Sequence, residues 1–247
     1  MEIRGTTTLV GILGWPTSHS LSPVMQNAGF AAAGLDWAYV PLPTPPERLV
    51  EAVRGLAATG FAGANVTIPH KQGVIAACDE LDAVAERAGS VNTLVFRAGK
   101  VLGYSTDGAA VVEQIEVSGR RALVLGAGGA ALAVVSALRD AGGVVTVSSR
   151  RDSDWPPPTD DADVVVNCTP LKEELVVTLR PELQVVDLAY LADGRDTALV
   201  AEAKRIGCTV VVDGLDVLLH QGAAAFALWT GVDAPVAEMR HALRRSS

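Results

Sequence analysis

The stretch RRALVLGAGGAALAVVSALRDAGG, residues 120–143, decides the fold of this 247-residue chain. Its apolar start is typical of a buried strand, and its second half is typical of a helix with one buried face. Between them, Gly126, Gly128 and Ala131 stand in the order G-x-G-x-x-A, the fingerprint of a dinucleotide-binding turn. Glycines let such a turn approach a pyrophosphate, which the free N–H groups at the start of the helix then bind. The stretch therefore predicts a βα unit that binds a nucleotide.

The same small residues would also let a helix pack closely on a strand without any ligand, and the motif alone does not decide between the two. The residues about 20 positions after the first glycine favour the nucleotide. NAD-binding units usually carry an Asp or Glu there for the ribose 2'-hydroxyl, whereas this chain has SSRR, residues 148–151. A guanidinium suits a 2'-phosphate, so Arg150 predicts NADP, although an arginine after a strand is often only solvated.

The composition predicts a globular protein that binds small molecules. Apolar residues make up 49% of the chain and charged residues 19%, a balance that can fill packed cores. A net charge of -8 argues against a wide nucleic-acid-binding surface, because such a surface needs many Lys and Arg side chains. The three cysteines and four histidines show neither a disulfide framework nor metal-ligand spacing, so no metal site is expected.

No segment predicts a membrane span or a secretory signal. The uncharged run LVLGAGGAALAVVSAL, residues 123–138, is shorter than the about 18 residues of a span and contains three glycines. The first residues, MEIRGTTTLVGILG, hold only a short apolar run, and Glu2 and Arg4 precede it. We therefore expect a cytoplasmic protein that contacts neither membranes nor nucleic acids.

Short apolar strands alternate with helical segments, which predicts an α/β fold with mostly parallel sheets in two domains. In the first half we predict strands in TLVGILG, DWAYVPLP and FAGANVTIP, and helices in SPVMQNAGFAAAGL, ERLVEAVRGLAATG and DAVAERAG. In the second half the predicted strands are residues 121–125, 143–149, 163–167, 184–188 and 208–212. Helices are expected between most of them, and RDSDWPPPTDD, residues 151–161, is a Pro-rich loop. The segments VLLHQGAAAFALWTG and PVAEMRHALRRSS predict two final helices.

A single carboxylate, Asp107, lies in GYSTDGAA, residues 103–110. Gly103 and Gly108 indicate a turn in which Asp107 is a capping residue, and the alternative is a place in an active site. Three more polar segments, SHSLSP, NVTIPHK and GSVNTL, also fall where predicted strands end or helices begin. Singly, each is better explained by a helix cap, a strand-end turn or a loop. Together they favour a site, because ligands bind at the carboxyl ends of parallel strands.

Taken in order, these segments resemble the shikimate dehydrogenase family, including its quinate/shikimate dehydrogenase branch, over nearly the whole chain. The resemblance rests on HSLSPVMQN, NVTIPHK, VNTL, STDG, GAGGA, NCTP and QGAAAFALWTG. It implies reversible reduction of 3-dehydroshikimate to shikimate by NADPH. It also implies an N-terminal αβα substrate-binding catalytic domain with a mostly parallel sheet (1–107), a Rossmann-like NADP-binding domain (108–214) and C-terminal helices that return to the first domain (215–247).

The resemblance further implies roles for individual residues. Lys71 and Asp107 match the family's catalytic acid/base pair. The matched substrate-binding residues, besides that pair, are Ser20 and Ser22 for the carboxylate, Thr67, Asn92 and Gln221 for the ring hydroxyls, and Tyr190 near the carboxylate. The matched cofactor-binding residues are Gly126, Ala127, Gly128, Gly129, Ala130, Ser149, Arg150, Asn167, Thr169 and Gly214.

Several positions depart from the family pattern. Ser105 replaces an Asn, Ala192 replaces a frequent Pro, and Lys172 follows NCTPL where the family has glycine after NCTP. Gln26 stands where many members have His, which leaves a quinate/shikimate dehydrogenase using NAD or NADP as an alternative. A non-catalytic binding protein that responds to NADP(H) and shikimate is a second alternative, although it has no need of Lys71 and Asp107. The protein is expected to be a monomer or a homodimer.

Overall fold

Two sheets organise the computed structural model, which describes residues 2–245. The strands are β1 (Thr8–Gly14), β2 (Trp37–Pro43), β3 (Gly63–Val66), β4 (Glu80–Leu81), β5 (Thr93–Arg97), β6 (Lys100–Tyr104), β7 (Arg121–Leu125), β8 (Val144–Ser148), β9 (Val164–Asn167), β10 (Gln184–Asp187) and β11 (Val210–Val212). The α-helices are α1 (Ser22–Ala32), α2 (Leu49–Ala58), α3 (Ala83–Ala88), α4 (Asp107–Val112), α5 (Gly129–Asp140), α6 (Ala198–Ile206), α7 (Gly214–Thr230) and α8 (Val236–Arg245).

The chain divides into two units by its internal contacts. The first unit runs to Thr106 and resumes at Leu219, and the second runs from Asp107 to Leu218. The last two helices therefore belong with the first unit from Leu219 onward. This confirms the predicted return of the C-terminal helices, and α7 is the helix in which the chain passes from the second unit to the first.

The sheet of the first unit has the strand order β2-β1-β3-β5-β6-β4. β1 pairs in parallel with β2 and with β3, and β4 pairs in parallel with β6. β5 is antiparallel to both of its neighbours, because it forms a hairpin with β6. The mostly parallel sheet is confirmed, and the hairpin is an element that the sequence analysis did not predict.

Helices cover both faces of this first sheet. One apolar layer joins alternate side chains of β1, such as Val10 and Ile12, to Phe30 of α1 and to Phe226 and Trp229 of α7. The opposite layer contains strand residues and helix residues in equal measure: Leu13, Ala64, Val66 and Leu94 from strands, and Leu49, Val53, Ala77 and Ala85 from helical segments. The alternation follows from the strand period of two, and it confirms the αβα architecture.

The five strands of the second unit are all parallel, in the order β11-β10-β9-β7-β8. Its strands also alternate: Ala122 and Val124 of β7 point into one apolar layer, and Leu123 and Leu125 point into the other. The first layer holds α4, α5 and the start of α7, and the second holds α6. Strands buried on both faces read as continuous apolar runs, which is why the sequence predicts them well.

The expectation of helices between most strands of this sheet is wrong. In the described residues, only α5, between β7 and β8, and α6, between β10 and β11, are α-helices; the other two connections contain none. The β8–β9 connection carries three consecutive prolines, which lack the N–H that a helix needs. Trp155, Val177 and Leu179 of these irregular segments pack into the layer of α6 and cover the sheet there.

The interpretation of Gly103 and Gly108 as turn residues is also wrong. Gly103 lies within β6 and Gly108 within α4. Each allows a close approach: a Cβ at Gly103 would lie 2.7 Å from Leu81 Cδ2, and one at Gly108 would lie 2.5 Å from the Ala133 carbonyl oxygen. Strand and helix packing explain these glycines.

Gly63 in β3 makes room for a buried hydrogen bond that joins α7 to the first sheet. Trp229 Nε1 donates to the Leu94 carbonyl oxygen at 2.9 Å. A Cβ at Gly63 would overlap both partners of that bond. The packing of α7 on the sheet thus requires a strand position that has no side chain.

We expect Gly63→Ala to lower the free energy of unfolding by about 1 to 3 kcal/mol, because the added methyl group must displace Trp229 or the backbone of β5. Urea unfolding followed by far-UV circular dichroism measures this loss. Gly55→Ala in α2 is the matched control: no atom lies within 4 Å of its missing Cβ, so alanine should stabilise the helix by about 0.5 to 1 kcal/mol. Equal effects of the two substitutions would contradict the packing argument.

Candidate active site

The first sheet changes direction of winding at β1, and several predicted residues lie there. β2 lies on one side of β1 and the later strand β3 on the other, so the segments that leave their carboxyl ends diverge and open a crevice. Thr67 directly follows β3, and its amide donates to the Leu13 carbonyl at 2.9 Å. A Cβ at Gly14 would overlap Thr67 Cγ2. The glycine at the end of β1 therefore allows Thr67 to sit at this point.

Ser20 and Ser22 lie where the chain enters α1. The Ser22 amide donates to Ser20 Oγ at 3.3 Å, and Ser22 is the first residue of the helix, with a proline after it. Ser22 is buried, whereas Ser20 is half-buried. No acidic side chain lies in the first turn of α1. Two hydroxyls and the positive end of an 11-residue helix dipole suit the binding of a carboxylate.

Lys71 lies in the segment after β3, and its main chain is held on both sides. The preceding residue, His70, is buried, and its Nε2 lies 2.7 Å from the Thr44 carbonyl oxygen. The Lys71 carbonyl accepts a hydrogen bond from the Val91 amide at 2.8 Å. These bonds fix the backbone of a half-buried lysine between the end of β2 and the start of β5.

Asn92 and Gln221, far apart in the sequence, are brought together in the first unit. Asn92 Nδ2 lies 3.4 Å from Gln221 Oε1 and 2.8 Å from Thr106 Oγ1. The Thr106 amide donates to Asn92 Oδ1 at 2.8 Å, and the Thr106 hydroxyl donates to the Gln221 carbonyl at 3.2 Å. All three side chains are buried. Thr106, which the sequence analysis did not single out, joins the residue before β5 to α7 and is followed by Asp107.

Asp107 is the first residue of α4 and of the second unit, and it is only 5% exposed. Lys71 belongs to the first unit. Their assignment as a catalytic pair stays a prediction from the family resemblance. The capping role considered for Asp107 fits its place at the first turn of a helix.

In the second sheet, the glycine-rich turn lies at the corresponding change of winding. β7 has β8 on one side and β9 on the other. Gly126 has φ +114°, a backbone conformation that favours glycine, and a Cβ there would lie 3.3 Å from the Cys168 carbonyl and from Thr169 Cγ2. The ends of β7 and β9 therefore approach each other where a dinucleotide is expected.

The backbone at the start of α5 is accessible. Gly128 caps the helix, and no atom lies within 4 Å of its missing Cβ. Ala127 and Gly128 are exposed, Gly129 and Ala130 are half-buried, and no acidic side chain lies in the first turn of this 12-residue helix. Unpaired N–H groups and a positive dipole end are what a pyrophosphate requires.

The turn after β8 carries Ser149 and Arg150. The Ser149 amide donates to Asp152 Oδ2 at 2.7 Å, and the Arg151 amide donates to Ser149 Oγ at 3.3 Å. Arg150 itself is exposed. Ser149 thus shapes a turn that follows the strand next to β7 and leaves Arg150 exposed.

The side chains of Asn167 and Thr169 are engaged inside their own turn. Asn167 Oδ1 accepts hydrogen bonds from the Thr169 amide at 3.0 Å and from the Thr169 hydroxyl at 2.6 Å. Asn167 Nδ2 donates to the Leu171 carbonyl at 3.3 Å and to Asp187 Oδ1 at 2.8 Å. Both predicted cofactor-binding residues therefore order the loop beside Gly126.

Gly214 and Tyr190 lie near the end of β10. A Cβ at Gly214 would overlap the Ala189 carbonyl oxygen, so the start of α7 touches the backbone of the turn after β10. The ammonium of Lys172 lies 5.7 Å from the centre of the Tyr190 ring, within the range of a cation–π contact. The turn after β9 and the turn after β10 thus meet at these two side chains.

Asp187 is a buried carboxylate that the sequence analysis missed. It is the last residue of β10, it is 0% exposed, and Thr197 Oγ1 donates to its Oδ2 at 2.5 Å. Burial raises the pKa of Asp187 to about 6, although hydrogen bonds from Thr197, Ala189 and Asn167 lower it; the charge of Asp213 raises it further. A polar residue at the end of an apolar run, VVD, is the signal that would have found it.

Two classes of feature are absent from residues 2–245. No helix in that range is both long and apolar enough to cross a bilayer. No three His, Cys, Asp or Glu residues of that range are grouped so that they could hold a metal ion.

Similar proteins were found by family, by sequence and by structure. The family model described as the shikimate dehydrogenase substrate binding domain matches residues 12–94, and that of the shikimate 5'-dehydrogenase C-terminal domain matches residues 214–244. The curated shikimate dehydrogenase (NADP(+)) of Moorella thermoacetica is 40% identical over 100% of this chain and 96% of its own length.

Two solved structures extend the comparison. A shikimate dehydrogenase in complex with NADP+ is 32% identical, with a TM-score of 0.91 over 100% of this chain and 98% of that chain. The shikimate 5-dehydrogenase of Thermus thermophilus, solved with NADP(H) and shikimate, is 33% identical, with a TM-score of 0.83 over 97% of this chain and 100% of that chain.

The raised pKa of Asp187 predicts a pH-dependent stability. Since the folded protein binds this proton more tightly than the unfolded chain, whose pKa is near 3.8, ionisation of Asp187 costs stability as the pH rises through this interval. We expect the stability of Asp187→Asn, measured against that of the unsubstituted protein, to rise by on the order of 3 kcal/mol between pH about 4 and about 7. Urea unfolding across this range measures the difference. A difference that is constant with pH would contradict the assignment.

Proposed function

This chain belongs to the shikimate dehydrogenase family, and from that premise we propose that it catalyses the reversible NADP-dependent reduction of 3-dehydroshikimate to shikimate. The observation that carries the proposal is the gathering of the family-matched residues at the winding changes of both sheets, Thr67 beside β1 and Gly126 beside β9. The proposal assigns substrate binding to residues 1–107 and 215–247 and NADP binding to residues 108–214.

The nucleotide half fits a bound NADP. The backbone from Gly126 to Ala130 would hold the pyrophosphate at the start of α5, and Arg150 would pair with the 2'-phosphate. NADPH supplies the hydride that reduces the substrate carbonyl. NAD has no 2'-phosphate, so the exposed guanidinium favours NADP over NAD.

In the substrate half, neutral donors would orient an anionic ring. The hydroxyls of Ser20 and Ser22, with the first turn of α1, would bind the carboxylate, and Tyr190 of the second unit would add a donor there. Asn92 and Gln221, already hydrogen-bonded to each other, would meet the ring hydroxyls together with Thr67. A ring that bears several hydroxyls needs such a cluster, because each buried hydroxyl must find a partner.

Lys71 would transfer the proton that the reaction requires, and Asp107 would orient Lys71. In the direction of reduction, the Lys71 ammonium donates a hydrogen bond to the carbonyl oxygen, stabilises the negative charge that develops on it, and transfers a proton to it. Asp107 accepts from the lysine and from the neighbouring hydroxyl, and so orients both. Oxidation of shikimate reverses each step, with Lys71 receiving the hydroxyl proton.

The remaining parts of the proposal concern location and assembly. We propose that the protein acts in the cytoplasm on small molecules, as a monomer or a homodimer. A non-catalytic protein that binds NADP(H) and shikimate is the second candidate. The presence of both Lys71 and Asp107 favours the enzyme, since binding alone requires no proton donor.

The reaction is tested by the oxidation of shikimate and quinate with NADP and NAD, followed by absorbance of the reduced cofactor. Of the four pairings, shikimate with NADP should give the highest kcat/KM. A higher kcat/KM with quinate would assign the chain to the quinate/shikimate branch. No turnover in any pairing, together with tight NADPH binding, would support the non-catalytic candidate.

Substitution of the proposed proton donor should separate chemistry from binding. We expect Lys71→Ala to lower kcat by about two to four orders of magnitude while the Kd for NADPH stays nearly unchanged. Stopped-flow turnover and a fluorescence titration measure the two quantities. Lys100→Ala, which removes an exposed lysine from β6 of the same unit, is the control and should leave both unchanged. Parallel loss of turnover and NADPH affinity in Lys71→Ala would assign the lysine to cofactor binding instead.

A further inference from the structure

Asp187 stands at the junction of four segments of the second unit. It ends β10, and its carboxylate accepts hydrogen bonds from the turn after β9, from the turn after β10 and from the start of α6. We propose that Asp187 is a positioning residue for NADP binding: one of its oxygens ties the turn after β9, which borders the glycine-rich turn, to the turn after β10. The inference rests on the proposed function, which gives those turns a ligand.

The two oxygens of this carboxylate have different partners. Oδ1 accepts from Asn167 Nδ2 at 2.8 Å and from the Ala189 amide at 2.9 Å, so it joins the two turns. Oδ2 accepts only from Thr197 Oγ1 among these donors, and Thr197 is the N-cap of α6. Oδ1 therefore binds the two turns, and Oδ2 binds the start of α6.

The first turn depends on Asn167 for its shape. Asn167 uses its amide nitrogen to bind Asp187 and Leu171 and its amide oxygen to bind Thr169. The Asp187 bond orients this amide, because it fixes which end of the side chain faces the turn. The Cys168 carbonyl and Thr169 Cγ2, which each lie 3.3 Å from the missing Cβ of Gly126, are positioned through this chain of contacts.

The second turn leads to Tyr190 and touches the start of α7. The Ala189 amide is held by Asp187, and the Ala189 carbonyl lies against Gly214. Lys172, which follows the first turn, lies over the ring of Tyr190 at the end of the second. A loss of the Oδ1 acceptor would release both turns, and this cation–π contact would not hold them, since such contacts are weak when partly exposed.

A purely structural role for Asp187 would concern α6 instead of the turns. In that case the Thr197 bond, which caps the helix, would be the important one, and loss of either bond would only lower stability. The two roles are separable because they use different oxygens. Thr197→Val removes the partner of Oδ2 and leaves both donors to Oδ1 in place.

The experiment compares the Kd for NADPH, by fluorescence titration, in four variants below their unfolding temperatures. We expect Asp187→Ala to raise Kd about tenfold to hundredfold, because misplaced turns lose alignment with the cofactor. Asp187→Asn should stay within about threefold of the unsubstituted protein: its amide oxygen can replace Oδ1, and its amide nitrogen can donate to Thr197. Thr197→Val and Val185→Ala, a core substitution in the same strand, should lower stability with less than a twofold rise in Kd.

A rise in Kd that tracks the loss of stability across all four variants would overturn the proposal, as would unchanged affinity in Asp187→Ala. If Asp187→Ala does not fold, the proposal is tested by hydrogen exchange of the unsubstituted protein. The amides of Thr169 and Ala189 should then both gain protection when NADPH is added, because one Asp187 oxygen joins their turns, and a gain at only one of them would overturn the proposal. If the unsubstituted protein itself does not bind NADPH, the proposed function fails instead.

Discussion

The close approach of two parallel strands at the winding change of each sheet is the constraint on which the proposed site depends. At the end of β1, only a glycine leaves room for Thr67, and at the end of β7, only a glycine adopts the required backbone and leaves room for the Cys168 carbonyl. Beyond these points the chain segments diverge, and the polar side chains that follow the strands collect in the crevice. In both units a glycine at the end of a central strand permits the close approach, although the surrounding sequences differ.

Most polar residues at the strand ends contact each other. Asn92 in the first unit binds Thr106 through both ends of its amide, and Asn167 in the second binds Thr169 of its own turn through one end and Asp187 of β10 through the other. Buried polar groups must be paired, so residues of this kind become organised before any ligand arrives. The Asn92–Gln221 cluster is organised in this way, and Asp187 plays the same organising part for the nucleotide half.

Few helices cover the sheet of the second unit. Where helices in the β8–β9 and β9–β10 connections would cover the sheet, residues of irregular segments such as Trp155 and Leu179 cover it instead. The irregular connections leave the turns at the carboxyl edge without helical support of their own. The hydrogen bonds that Asn167 makes within its turn and those that Asp187 accepts supply that support, which explains why a costly buried carboxylate lies there.

Local patterns in the amino-acid sequence determine many of the elements of this fold and several residues of the candidate site. The glycine-rich turn, the five strands of the second sheet and the polar strand ends at Thr67, Asn92 and Asn167 are all visible in the sequence, because strand burial and turn chemistry act over a few residues. Tertiary structure alone decided the β5–β6 hairpin, the packing roles of Gly103 and Gly108, and the meeting of Asn92 with Gln221. It also decided that Asp187, one residue after an apolar run, holds two distant turns. These features depend on which segments become neighbours in the folded chain. The Asn92–Gln221 contact spans 129 residues, and a contact between two separate segments leaves no periodic signal in either of them.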